Sequence, residues 1–161
     1  LIRQLSRLNG VAVDELEQSM QPRSLSNYGF LGANEHLLDV LATDNDFVTG
    51  RGFTHQQLAH ELAYIMKAPA SSENAMLIYN DRVYTKMVAM FFGSQESPFR
   101  DGERGSHDII VRNRTNGKAF SFSELHIAMI GRYGFYEGPN SPYRVEPSEI
   151  LEVFDFLAPS T

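Results

Sequence analysis

The chain has 161 residues, of which 42% are hydrophobic and 21% are charged, with a net charge of −6 and no cysteine. These values predict one globular domain over residues 1–161, in which a helical segment at 1–20 could be peripheral. The negative charge argues against nonspecific nucleic-acid binding, and the lack of cysteine excludes disulfides, thiolate metal ligands and a cysteine nucleophile.

The hydropathy pattern argues against a membrane protein. No apolar run approaches the roughly 20 residues that a membrane-spanning helix needs. No signal peptide is evident, but this absence says little about the compartment, which the sequence leaves undecided with the cytoplasm as the expected location. Oligomeric state cannot be deduced from these features.

The first half of the chain has helical patterns. Leu1, Leu5 and Leu8 are spaced for a helix that Gly10 can end, and Val13–Met20 predicts a second helix. The pair loosely resembles a helix-turn-helix, but its acidic residues would face DNA phosphates.

Two more helices are predicted after a loop over Gln21–Gly32. One begins after Asn34, a good N-cap residue. The other begins after Thr54, which forms a capping box with Gln57.

Strands are predicted in the second half. Met76–Tyr79 and Val83–Phe92 indicate a first hairpin. Asp108–Arg112 alternates with period two, which predicts a strand with Ile109 and Val111 on one face and Ile110 on the other. Phe120 and Phe122 continue this alternation after Asn116-Gly117, a hairpin-turn signal.

Polar loops and two final helices complete the chain. Ser94–Ser106 is predicted as a long loop, of a length that is usually functional or disordered. A capping box of Ser121 and Glu124, with Ser123 as a rival N-cap, starts a helix that Gly134 should end. Pro147 suits the first turn of the last helix.

These elements predict an α+β fold. N-terminal helices precede an antiparallel sheet of about four strands in two hairpins, and C-terminal helices follow.

One group of polar residues could carry chemistry. If the second hairpin closes, His107, Asp108, Glu124 and His126 come within reach of one another. Two imidazoles and two carboxylates could bind a divalent ion or act in general acid-base catalysis. The alternative is a helix cap and a polar cluster at a sheet end.

A second group could bind a ligand or partner through the loops 94–106 and 134–144. Aromatic rings beside a few charges suit a small-molecule pocket or a protein surface. The candidate residues are Phe99, Arg100, Tyr136, Glu137, Tyr143 and Arg144. The alternative is that the rings pin a glycine-rich loop to the core while Arg144 pairs with Glu137 or Glu146.

No sequence motif identifies a cofactor. GxSxG, P-loop and GxGxxG patterns are absent, and we predict no cofactor or metal. The leading interpretation is a binding module for a small molecule or a protein partner. The alternative is a hydrolase-type enzyme, with or without a metal, that uses His107, Asp108, Glu124 and His126.

Two segments resemble uncharacterised bacterial single-domain proteins. They are SLSNYGFLGANEHLLDVLATDN and FSFSELHIAMIGRYGFYEGPNSPYRVEP, and the similarity extends from Ser24 to Phe156. The resemblance implies a bacterial protein but no activity, and it transfers no site residues.

Overall fold

The structure is a computed structural model that describes residues 1–23 and 29–157, except for the side chains of residues 91–93. Within these residues the protein is α+β, with helices at both ends. The α-helices are α1 (Val13–Met20), α2 (Leu37–Gly50), α3 (His55–Lys67), α4 (Glu124–Tyr133) and α5 (Pro147–Val153). The strands are β1 (Arg7–Leu8), β2 (Val11–Ala12), β3 (Met76–Tyr79), β4 (Arg82–Glu96), β5 (Arg104–Asn113) and β6 (Ala119–Ser123).

The N-terminal segment is a 3-10 turn over Ile2–Gln4 followed by a hairpin, so the helix predicted from Leu1, Leu5 and Leu8 up to Gly10 is wrong. β1 and β2 pair antiparallel. The two residues between them, Asn9 and Gly10, have φ of 53° and 75°, as a type I′ turn requires. The second predicted helix, Val13–Met20, is confirmed as α1.

The larger sheet has the strand order β3-β4-β5-β6, and each neighbouring pair is antiparallel. Asn80 and Asp81, both at positive φ, form the first hairpin turn. The second turn is longer than a two-residue Asn-Gly turn, and only Gly117 in it has a positive φ. With the N-terminal hairpin, the described chain has more strands than the four predicted.

The predicted long loop over Ser94–Ser106 is shorter than expected, because strands occupy both of its ends. β4 continues to Glu96 and β5 begins at Arg104, which leaves residues 97–103 as the connection. The end of β4 is solvent-exposed. Polar residues are therefore compatible with strand there, although they are also typical of loops.

The helix boundaries follow the observed caps. α2 begins at Leu37 with His36 as N-cap, rather than after Asn34. The Thr54 capping box is confirmed. Gly134 ends α4 in the left-handed conformation, as predicted. The predicted loop Gln21–Gly32 lies partly outside the described residues.

The helices cover one face of the larger sheet. Side chains of α3, α4 and α5 form a core with the inward residues of the sheet, among them Ile109, Val111 and Phe122. On the opposite face, Ile110 is 45% exposed and Ile78 is 74% exposed. A second core joins α1, α2 and α4 to Phe99. In the described part of the chain, no helix is long and apolar enough to cross a membrane.

Candidate functional site

The four residues predicted as catalytic are divided between different hydrogen-bonding partners. His107 Nδ1 lies 2.7 Å from Glu124 Oε1, which also accepts from the backbone N–H groups of Ser106 and His107. Burial alone would raise the pKa of Glu124, but these hydrogen bonds and the imidazole hold that pKa below its ordinary value. His107 and Glu124 therefore form a half-exposed pair at the sheet end.

His126 pairs with Glu137 instead of Glu124. Its Nε2 lies 2.6 Å from Glu137 Oε2, and both side chains are buried. Its Nδ1 accepts from the Ser123 backbone N–H at 3.0 Å. The neutral ring therefore carries its proton on Nε2 and donates it to the carboxylate. Ser141 Oγ donates to the other Glu137 oxygen at 2.7 Å, within the 134–144 loop. The His126–Glu137 contact ties this loop to the start of α4.

This geometry makes His126 part of a helix cap. Ser123 is the N-cap of α4, and His126 occupies the third helical position, where a capping box usually has Glu or Gln. The predicted box of Ser121 and Glu124 is therefore wrong, and the rival N-cap Ser123 is the correct one.

Asp108 is partly buried near the His126–Glu137 pair. Burial is the main cause that raises the pKa of Asp108; the electrostatic interaction with His126 lowers that pKa and the interaction with Glu137 raises it. Across residues 1–23 and 29–157, no group of three or more His, Asp and Glu side chains is placed to hold a metal ion. Asp108, His126 and Glu137 can therefore exchange protons, but together they do not form a metal site.

The aromatic residues predicted to contact a partner are core residues. Phe99 is completely buried and stacks on Tyr133 at 3.9 Å between ring centroids. Tyr136 is also completely buried, burial raises its pKa, and its hydroxyl lies 2.8 Å from His55 Nδ1. Neither ring can touch a partner in this conformation. Both rings pack into the protein core, as the alternative interpretation of the sequence expected.

Arg144, predicted to bind a ligand or partner, is instead bonded to side chains of its own chain. Both of its terminal nitrogens bond to Asp44, at 2.9 and 2.8 Å, and its Nε bonds to Glu146 at 2.9 Å. Burial alone would lower the pKa of Arg144, but these two carboxylates raise it. Arg144 also donates to the backbone carbonyl of Glu137, a buried residue. Arg144 therefore connects α2, the 134–144 loop and the start of α5.

Two members of the predicted surface remain accessible. Tyr143 is 53% exposed. Arg100 is about half exposed and pairs with Glu15 at 3.0 Å. A cleft of about 270 Å³ lies nearby, between α2 and Pro139, but Arg144 already neutralises Asp44 in its wall.

The structure exposes a different surface, which sequence reasoning missed. β3 pairs only with residues 82–85 of β4. Beyond Lys86, four consecutive β4 residues, Met87–Met90, are exposed; we call them the free β4 segment. Met87, Val88 and Met90 are 60%, 56% and 73% exposed, which is unusual for large apolar side chains on both faces of a strand.

Among residues 1–23 and 29–157, no strand pairs with the backbone of the free β4 segment on the side away from β5. The Lys86 N–H donates to the Ala75 carbonyl on the β3 side. Because these groups alternate sides along a strand, the N–H and C=O of Val88 and Met90 point to the same side, beyond the end of β3. Met87 and Ala89 point to β5, with which the register stays regular through Met90.

Met87–Met90 lack the usual protection of a sheet edge, because the register irregularity of β4 begins only after Met90. Natural edge strands carry charges, prolines or bulges that prevent pairing with other chains. The stretch MVAMFFGSQ, from Met87 to Gln95, has no charged residue and no proline. This uncharged run is the signal that could have identified the segment.

Comparison with protein-family models, with curated proteins and with solved structures finds no match. The resemblance to bacterial proteins stays a prediction. Function must therefore be argued from the geometry of this chain.

The Glu124 contacts predict a pH-dependent loss of stability. Because folding lowers the pKa of Glu124, its contribution is complete above the ordinary carboxyl pKa of about 4.3 and is lost as the pH falls through the lowered value. Glu124→Gln should reduce the free energy of unfolding by about 1 kcal/mol at neutral pH. Urea denaturation should show this deficit shrinking in acid. The exposed Glu73→Gln is the control, and a deficit that stays constant with pH would refute the assignment.

Proposed function

We propose that this protein is an interaction module that binds an extended segment of a partner along the free edge of β4. One observation carries the proposal: the free β4 segment exposes apolar side chains on both faces, together with backbone groups that no other strand of the described chain pairs with. The class of function is the one expected from the sequence, but the surface differs from the predicted loops.

The recognition chemistry follows from strand addition. A bound strand would receive hydrogen bonds from the N–H groups of Val88 and Met90 and donate to their carbonyls. Its side chains would alternate between the face of Val88 and Met90 and the face of Met87 and Ala89. The fitting ligand is therefore an extended, uncharged segment with apolar side chains and no proline where it must donate.

Burial supplies the driving force. Apolar surface removed from water contributes roughly 25 cal/mol per Å². Cross-strand apolar pairs add about 0.2–1 kcal/mol each. Because Val88 and Met90 are more than half exposed, a strand beside them gains both contributions.

A proline substitution tests the proposal without removing an intrachain hydrogen bond. Peptides selected from a displayed random library on the wild-type protein should be enriched in alternating apolar residues. Val88→Pro should weaken their binding at least tenfold, because it removes an N–H that points away from β5. Fluorescence anisotropy of labelled peptides gives the affinities.

Ser121→Pro is the matched control. Ser121 is exposed on β6, and its N–H points away from β5 on the opposite edge of the same sheet. It should leave the affinity unchanged. Equal binding by the wild type and Val88→Pro, or equal loss in both proline variants, would contradict the proposed site.

A hydrolase is the second candidate, and one observation favours it. Ser123 Oγ lies 3.0 Å from His126 Nδ1, and His126 Nε2 lies 2.6 Å from Glu137, which is the order of groups in a serine hydrolase. Against it, Ser123 is 8% exposed and caps α4, and the Ser123 N–H occupies the nitrogen that would take the hydroxyl proton.

A fluorophosphonate probe separates the two candidates. The capping geometry predicts no covalent labelling of the folded protein, because Ser123 Oγ is buried and has no free base. Intact-mass spectrometry measures the adduct, with Ser123→Ala as the control. Stoichiometric labelling that Ser123→Ala abolishes would make the hydrolase the better proposal.

A further inference from the structure

We infer that the segment bound at the free β4 edge is the same segment of a second copy of this chain, paired antiparallel about a two-fold axis at Ala89. The inference rests on the proposed strand-binding function and names its partner. The result would be one continuous sheet through both copies.

The backbone pattern is self-complementary about Ala89. Val88 and Met90 each present one N–H and one C=O to the free edge. With Ala89 opposite its own symmetry mate, Val88 exchanges both bonds with Met90 of the second copy, and Met90 with Val88. Ala89 then falls in a non-hydrogen-bonded pair, where Cα atoms come closest, at about 4.5 Å. Its small side chain suits that position.

The side chains also suit self-pairing. Val88 faces Met90 of the second copy on one side of the sheet, so two exposed apolar groups cover each other. In self-pairing, each residue of the free β4 segment lies opposite a residue of the same segment in the second copy. Like charges directly opposite would repel, and the run from Met87 to Gln95 has none. A chain with a net charge of −6 therefore has a neutral strip where two copies can meet.

The neighbouring structure sets the length of the pairing. Ala75 already occupies the position beside Lys86, so the incoming strand must leave the edge after its own Met90. β4 loses its regular register with β5 at that point, between Met90 and Gln95. The same irregularity in the second copy lets its chain turn away from Ala75.

The first test measures mass in solution. Light scattering after size exclusion should give twice 18.2 kDa for the wild type at high concentration, with dissociation on dilution. Val88→Pro and Met90→Lys should each raise the dimer dissociation constant at least tenfold. Ser121→Pro and Ile78→Lys, which alter the opposite edge and an exposed apolar residue of β3, should not. Circular dichroism confirms that each variant is folded.

The second test locates the axis. The chain has no cysteine, so Ala89→Cys carries a single thiol. The expected Cα separation of about 4.5 Å lies in the disulfide range of roughly 4.4–6.8 Å, so mild oxidation should give a covalent dimer. Ile78→Cys, 74% exposed on β3, is the control and should remain monomeric.

The outcomes separate the two proposals. A monomer at all concentrations, without Ala89→Cys cross-linking, overturns the self-pairing. If Val88→Pro still abolishes binding of the selected peptides, strand binding stands with another partner. A dimer that Val88→Pro leaves intact, or cross-linking as rapid through Ile78→Cys, places the interface elsewhere and also overturns the inference. A dimer broken only by the β4 variants and trapped at Ala89 supports it.

Discussion

The difference in length between β4 and the elements beside it determines what this protein exposes. β4 has 15 residues, whereas β3 has four and pairs with one end of it. The Lys86 ammonium donates to the carbonyls of Met66 and Ala68 at the end of α3, so helix cover stops at the same point. Within the described part of the chain, the next residues of β4 have no neighbouring strand on one side, and they are exposed on both faces.

The buried ionisable residues, which the sequence suggested as candidates for catalysis or binding, stabilise the fold. His126 and Glu137 bind the 134–144 loop to the start of α4, and Arg144 joins that loop to Asp44 of α2. Removing one partner of such a buried pair leaves an uncompensated charge, which typically costs 3–5 kcal/mol. The candidate site is thus made of backbone and apolar side chains, whereas these His, Glu and Arg residues hold the 134–144 loop to α2 and α4.

Local patterns predicted the sheet better than the site. The alternation of Ile109, Ile110 and Val111 correctly gave the buried and exposed faces, because burial on one face imposes period two. The N-terminal leucines fitted a helix, but Asn9-Gly10, which adopts positive φ angles, is the stronger signal and favours a hairpin turn. Exposure of Met87–Met90 depends on where β3 and α3 end, which is a tertiary property. Likewise, composition could not distinguish Tyr136 in the core from Tyr136 on a surface.

Residue-resolved amide exchange in dilute solution tests the free edge most directly. The account predicts rapid exchange at Val88 and Met90, whose N–H groups face solvent, and slow exchange at Met87 and Ala89, whose N–H groups bond to β5. Raising the protein concentration should slow Val88 and Met90 selectively. Equal protection of all four amides at high dilution would show that the edge is already covered within one chain, and would contradict the account.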